Sequence, residues 1–238
     1  MMKNDFYIKI FADGADIEGM KEMLRAGYVS GFTTNPTLMK KAGVFDYEIF
    51  AKEILKEITE LPISFEVFSD NQADMEKEAR KIGGWADNVY IKIPVTNTKG
   101  ESTTELIKKL SQEGIKLNIT ALMTLKQVEQ VVNVITPDSG AYVSIFAGRI
   151  ADTGVNPMPI MKQAADICRS VCGVESIWAS TRELYNIFQA QDCGVDIITV
   201  TNDVLKKLPL VGKDLTELSL ETVRMFYDDG KSLGYKIV

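Results

Sequence analysis

Lys92 is the residue around which chemistry can be built. It stands in Val89-Tyr90-Ile91-Lys92-Ile93-Pro94-Val95, where strand alternation puts it on one face with Tyr90 and Pro94 and leaves Val89, Ile91, Ile93 and Val95 on the other. A lysine on the inner face of a packed strand loses solvation, which favours the neutral amine. A neutral amine is the nucleophile that forms an imine with a carbonyl. Two carboxylates are candidate acid–base groups beside it. Asp13 closes the run Phe6–Asp13 and is followed by Gly14, which permits a tight turn. Glu66 lies inside Ile63-Ser64-Phe65-Glu66-Val67-Phe68, among apolar sequence neighbours, so its partner must come from another strand. The same three residues also read as a buried ion-pair cluster that ties strands together. Arg149 and Arg182 carry guanidinium forks suited to phosphate oxygens. Ala179-Ser180-Thr181-Arg182 adds hydroxyls and an expected helix N-terminus, both favourable to an anion. The plainer reading of Arg182 is that it merely opens a helix.

Histidine is absent from all 238 residues. That excludes Ser-His-Asp and Cys-His mechanisms and His-ligated zinc or iron sites. Acid–base work falls to carboxylates, lysine, tyrosine or bound water. Cys168 and Cys172, four residues apart, make an incomplete metal site, and cysteine is usually a core residue, so neither metal nor cofactor is expected. With 27 Lys+Arg against 33 Asp+Glu the net charge is −6, the wrong sign for a nucleic-acid or anionic-membrane surface. No apolar run approaches the ~18 residues of a spanning helix, and Lys9 and Asp13 interrupt any leader-like segment. The odd count of 3 Cys leaves no full disulfide framework and points to a reducing, cytoplasmic setting.

The elements that must hold these groups alternate regularly. Candidate strands are Phe6–Asp13, Gly31–Asn35, Ile63–Ser69, Val89–Val95, Lys116–Thr120, Tyr142–Ala147, Ser176–Ser180 and Ile197–Thr201. Between them lie amphipathic helical patterns: Asp16–Ala26, Tyr47–Glu60, Gln72–Gly83, Ser102–Glu113, Thr124–Ile135, Pro159–Val171 and Arg182–Asp192. A further helix, Leu218–Asp229, follows the last strand. Gly114, Gly173 and Gly194 stand where helix C-caps are expected. Eight strand–helix units with no linker predict one domain over 1–238, an α/β chain folded as a (β/α)8 TIM barrel with an extra C-terminal helix. Sites in such barrels lie at the carboxyl ends of the strands. There the sequence sets Asp13, Thr33, Thr34, Asn35, Glu66, Lys92, Thr96, Asn118, Thr120, Ser144, Arg149, Ser180, Arg182, Thr199 and Asn202, a set too polar for packing alone.

At these positions the chain resembles the transaldolase family, including its short bacterial branch and the related fructose-6-phosphate aldolases. Asp13-Gly14-Ala15 looks like the first-strand aspartate motif. Gly31-Phe32-Thr33-Thr34-Asn35-Pro36-Thr37-Leu38 is similar to the family's Gly-Val-Thr-Thr-Asn-Pro-Ser signature, and Val89 to Thr96 to its Schiff-base lysine strand. Gly114 to Thr120 is similar to the fifth-strand motif, Ser144-Ile145-Phe146-Ala147-Gly148-Arg149 to Ser-Pro-Phe-Val-Gly-Arg, and Ala179 to Arg182 to the phosphate segment. The matches run in order from Phe11 to about Lys207.

The resemblance implies roles. Lys92 forms the imine with a ketose C2 carbonyl, and Asp13 takes the C4 hydroxyl proton. Glu66 works through a water held by Thr120. Asn35 and Asn118 bind the dihydroxyacetone part with help from Ser144, and Thr33 and Phe146 line the site. Arg149, Ser180 and Arg182 hold phosphate. Glu66, where the aldolases carry Gln, and Phe146, where they carry Tyr, point to transfer of a three-carbon unit between sugars rather than release of free dihydroxyacetone, and the resemblance is to transferases of the pentose phosphate pathway. Such an enzyme would move a dihydroxyacetone unit from fructose 6-phosphate to erythrose 4-phosphate. Ile145, Ala147 and Ala121 to Thr124 depart from the family pattern, which loosens the inference about the sugar pair. Two other functions fit the same residues: an aldolase that releases free dihydroxyacetone, and a non-catalytic sugar-phosphate sensor. Sugar phosphates are the implied substrates, and a homo-oligomer is expected from the short branch.

Overall fold

Residues 6–234 are described, from a computed structural model. Eight parallel strands close into one barrel: β1 Lys9–Asp13, β2 Gly31–Thr33, β3 Ile63–Glu66, β4 Val89–Pro94, β5 Leu117–Leu122, β6 Ala141–Ile145, β7 Val174–Trp178 and β8 Ile197–Thr201. Phe11 of β1 sits opposite Gly31 of β2 on one side and Thr199 of β8 on the other, which closes the ring. Eleven helices accompany them: α1 Ile17–Ala26, α2 Pro36–Ala42, α3 Tyr47–Glu57, α4 Gln72–Gly83, α5 Thr104–Gln112, α6 Leu125–Val132, α7 Ala147–Asp152, α8 Met158–Arg169, α9 Asn186–Asp192, α10 Asn202–Leu205 and α11 Leu215–Ser232. The expected (β/α)8 barrel with its C-terminal helix is therefore the observed fold.

Helix starts follow local chemistry. Asp16, Asn35, Asp46, Asn71 and Asp214 each accept an amide hydrogen bond from the first turn of the helix they precede. Thr124 and Gln127 form a reciprocal capping box on α6. Gly114 and Gly194 directly follow the C-cap residues of α5 and α9 with φ of 75° and 70°, as their spacing suggested. Gly173, φ 79°, does not cap α8: that helix ends at Arg169 with Ser170 as its cap, and Gly173 instead turns the chain into β7.

Several boundaries differ from expectation. The strand expected over Ile63–Ser69 stops at Glu66, because the Phe68 and Ser69 amides turn to the Glu78 carboxylate at 2.8 and 3.0 Å. The helix expected from Arg182 begins at Asn186, because the Asn186 Oδ1 accepts the amides of Arg182 and Glu183 and holds them in a loop. Arg182 therefore opens no helix, and the helix N-terminus expected beside it lies farther on. Short helices α2, α7 and α10 occupy strand-to-helix connections where no helix was expected. Each is too short to show a periodic apolar stripe.

Strand alternation splits the core in two. Outward residues such as Ile10, Phe32, Phe65, Ile91, Ile119, Val143 and Val200 pack against the helix ring. Inward residues fill the barrel floor: Phe11, Tyr142, Ile177 and Ile197, with Tyr90 against them. Tyr90 stacks on Tyr142 with ring centroids 4.1 Å apart, and Phe11 meets Tyr142 edge-on at 5.6 Å. A Cβ on Gly31 would lie 2.6 Å from the Phe11 ring, so glycine there makes room for the aromatic floor. Above that apolar floor the inward positions turn polar, and this is where the site lies.

Candidate active site

A cavity of about 490 Å³ opens at the carboxyl ends of the strands. The twelve residues given site roles from the sequence line it: Asp13, Thr33, Asn35, Glu66, Lys92, Asn118, Thr120, Ser144, Phe146, Arg149, Ser180 and Arg182; of the other strand-end polar residues Thr199 joins them, and Thr34, Thr96 and Asn202 do not. The twelve come from seven strands or the loops after them, so only barrel closure brings them together.

Lys92 projects inward from β4 with its side chain 13% exposed. Its Nζ donates to the Thr34 carbonyl and lies 3.7 Å from Glu66 Oε2 on the neighbouring strand. Registry explains the pairing, since Glu66 and Lys92 sit opposite one another across β3 and β4. Glu66 also accepts from the Thr34 hydroxyl at 3.0 Å. Its second oxygen, Oε1, is buried without a hydrogen-bond partner among the described residues. Burial raises the Glu66 carboxyl above its ordinary value; Lys92 and the Thr34 hydroxyl oppose the rise, and Asp13 adds to it. Thr120 faces the same cavity from β5. Just beyond it the β5–β6 register shifts, and Ala121 takes φ 64°, a bulge that bends the strand at the rim.

Asp13 is held at the end of β1 by two donors, Thr33 Oγ1 at 2.9 Å and Asn35 Nδ2 at 3.0 Å. The Asn35 Oδ1 meanwhile caps α2, which locks the amide's orientation. Burial raises the Asp13 carboxyl too, against the lowering effects of Lys92, Thr33 and Asn35. Below, Asn118 donates to Ser64 Oγ at 3.0 Å and accepts from Ser144 Oγ at 2.7 Å, so three strands share one fixed amide.

Across the mouth, Arg149 rides on α7 and Arg182 on the loop after β7. Ser180 adopts φ 65°, a left-handed conformation that costs a non-glycine residue about 1–3 kcal/mol. Its carbonyl lies where a Cβ on Gly148 would stand, 1.6 Å away. Gly148→Ala must therefore push α7 from the Ser180 loop. The expected result is a loss of about 1–3 kcal/mol in urea unfolding together with weaker binding of phosphorylated ligand; an alanine variant with unchanged binding would show that this close approach does not shape the site.

Four contributors had no assigned role in the sequence reading. The Thr34 carbonyl carries no side-chain signal at all. Thr199 meets Thr33 hydroxyl to hydroxyl at 2.5 Å, visible only once β1 lies between β2 and β8. Tyr47 donates its hydroxyl to the Glu66 carbonyl at 3.1 Å from α3. Asp152 pairs with Arg182, and its place one helical turn after Arg149 was the available signal. No grouping of three or more Cys, Asp or Glu side chains fit to hold a metal occurs among the described residues, and Cys168 is buried.

Fold and site together define a (β/α)8 barrel of the enzyme kind, with a buried lysine, two enclosed carboxylates and two arginines around one polar mouth. The model of the transaldolase/fructose-6-phosphate aldolase family matches residues 10–237. The chain is 36% identical to a probable transaldolase of Dehalococcoides mccartyi, over 84% of this chain and 90% of that one. It is 37% identical to a probable transaldolase of Thermoplasma volcanium, over 94% and 99%. The chain belongs to the transaldolase/fructose-6-phosphate aldolase family. Among solved structures, the tryptophan synthase alpha subunit of Pyrococcus furiosus superposes with a TM-score of 0.57 at 13% identity, covering 91% of this chain and 96% of that one, a likeness of fold alone.

Proposed function

We propose that this protein is a transaldolase that carries a dihydroxyacetone unit on Lys92 from fructose 6-phosphate to erythrose 4-phosphate. The observation that carries the reading is the placement of Lys92 beside Glu66 in one cavity with Asp13, with Arg149 and Arg182 across it. The Lys92 amine attacks C2 of the ketose to form a carbinolamine. Loss of its hydroxyl as water gives the imine, with Glu66 moving protons through a water that Thr120 holds. The C3–C4 bond then breaks. Its electron pair passes into the imine to form an enamine, Asp13 takes the C4 hydroxyl proton, and glyceraldehyde 3-phosphate leaves. Raised above its ordinary value, the Asp13 carboxyl is matched to taking and returning that proton. The enamine carbon attacks the aldehyde of erythrose 4-phosphate, Asp13 returns its proton, and water releases a seven-carbon ketose phosphate from Lys92. Asn35, Asn118 and Ser144 hold the three-carbon unit, with Thr33 beneath, while Arg149, Ser180 and Arg182 take the phosphate. Phe146 has no proton to give the waiting enamine, which favours transfer over release.

Product analysis separates the alternatives. A transaldolase makes the seven-carbon product only when erythrose 4-phosphate is present and releases little glyceraldehyde 3-phosphate without it. Steady release of dihydroxyacetone without acceptor would establish the aldolase instead, and binding without any turnover the sensor.

The whole chain acts as one barrel domain in this reading, and it assembles with copies of itself. Helix α11 supports assembly: it has no buried residue, and Leu215, Val223, Phe226 and Tyr227 are all 60% or more exposed. Light scattering is expected to give a multiple of the 26.5 kDa chain mass, and Phe226→Glu to lower it. A monomeric wild type would end the assembly reading.

A further inference from the structure

We propose that Asp152 is a positioning residue for the phosphate end of the site: it clamps one edge of the Arg182 guanidinium and so presents the opposite edge to the anion. The inference rests on the sugar-phosphate reading above. A guanidinium has five N–H donors in a rigid plane. The Asp152 carboxylate takes Nε and Nη2 of Arg182, at 3.1 and 2.5 Å, in a two-point fork. The Ser180 carbonyl takes one donor of Nη1 at 3.1 Å. Of the five donors, one on each terminal nitrogen remains, on the two nitrogens that flank the edge away from Nε. That edge is a ready fork for two phosphate oxygens.

The clamp also joins the two cation-bearing segments. Asp152 lies on α7, three residues after Arg149, while Arg182 stands on the loop after β7. Arg182 and Asp152 keep 45% and 53% of their side chains exposed, and an ion pair that wet adds little to fold stability. Its consequence is orientation, because an unclamped arginine on a loop samples many rotamers that a bound anion must freeze out. The Asp152 carboxyl stays ionised, held below the usual range chiefly by Arg182 and also by Arg149. Arg149 has no carboxylate partner among the described residues and meets the anion unassisted.

Steady-state kinetics with fructose 6-phosphate and with unphosphorylated fructose test this on Asp152→Ala, Arg182→Ala and the double variant. Asp152→Ala is expected to raise KM for fructose 6-phosphate about tenfold with kcat within about twofold. Values for fructose should not move. The double variant should be no worse than Arg182→Ala, because the clamp has nothing to hold once the arginine is gone. Asp152→Asn, which keeps shape and one acceptor, should fall between wild type and alanine, and it serves if the alanine variant does not fold. A lower KM in Asp152→Ala, or an equal rise without Arg182 or with fructose, would overturn the proposal. If Arg182→Ala raises KM while Asp152→Ala does nothing, the clamp alone is wrong. If Arg182→Ala itself leaves KM for fructose 6-phosphate unchanged, the phosphate reading of this end fails, and the clamp with it.

Discussion

Lys92→Met is expected to lower kcat by about 10⁴-fold or more while the barrel stays folded. Methionine matches the length of the lysine stem, so no large hole opens beside the aromatic floor. What disappears is the amine that faces the Thr34 carbonyl and Glu66. The decisive readout is covalent. Wild-type protein treated with fructose 6-phosphate and borohydride should gain a reduced three-carbon adduct, because borohydride fixes the imine after glyceraldehyde 3-phosphate has left. The methionine variant should gain nothing under the same treatment. An adduct that persists in the variant would place the chemistry on another lysine. An unmodified wild type, with this and other ketose phosphates, would remove imine chemistry and leave the sensor reading in front. The variant also unpairs its neighbours. Lys92 is the largest influence lowering the Glu66 carboxyl, so its loss should drive that group further towards the protonated form.

Asp13→Asn is expected to reduce carbon–carbon cleavage by about 10²–10⁴-fold and, unusually for a site substitution, to gain on wild type in stability as pH rises. The amide cannot take the C4 hydroxyl proton, yet the imine with Lys92 should still form and be trapped by borohydride. Binding and chemistry therefore separate in this variant. The stability effect follows from burial. Desolvation is the largest cause that raises the Asp13 carboxyl above its ordinary 3.8, so the folded chain holds that proton more tightly than the unfolded chain does. The resulting stabilisation is full below pH 3.8 and is lost as pH rises through the raised folded value. An asparagine has no carboxylate to desolvate and does not lose it. The new amide can turn its oxygen to the Asn35 donor and its N–H to the Thr33 hydroxyl, so its own contacts do not change with pH. The change in the gap with pH is therefore diagnostic, not the gap at one pH. Urea unfolding of both proteins from pH 4 to 7 should show the variant gaining steadily on wild type. A flat difference would mean that Lys92, Thr33 and Asn35 together cancel the burial of Asp13.

Much of the site was legible because its signals are local. The alternation around Lys92 placed it inward, and the absence of histidine limited the acid–base groups to the carboxylates found beside it. The ordered motifs from Asp13 to Arg182 each fell at the carboxyl end of a strand, as barrel topology requires. Boundaries were read less well. Ser69 and Arg182 were placed in regular elements from their own sequence neighbourhood, but the side chains of Glu78 and Asn186 capture the backbone there.

The sequence alone determined the eight-unit barrel and the inward lysine, because period-two and helical periodicities act within a few residues; which of the strand-end polar residues share the cavity it did not separate, since Thr199 lines it and Thr34 does not. Tertiary structure alone decided who touches whom. That Glu66 faces Lys92 depends on the β3–β4 register. That Thr34 receives the lysine through a backbone carbonyl leaves no trace in residue type. That Asp152 holds Arg182 depends on α7 and the β7 loop meeting 30 residues apart. Such contacts are set by closure of the ring, which couples every strand to two neighbours at once, and no single stretch of chain carries that information.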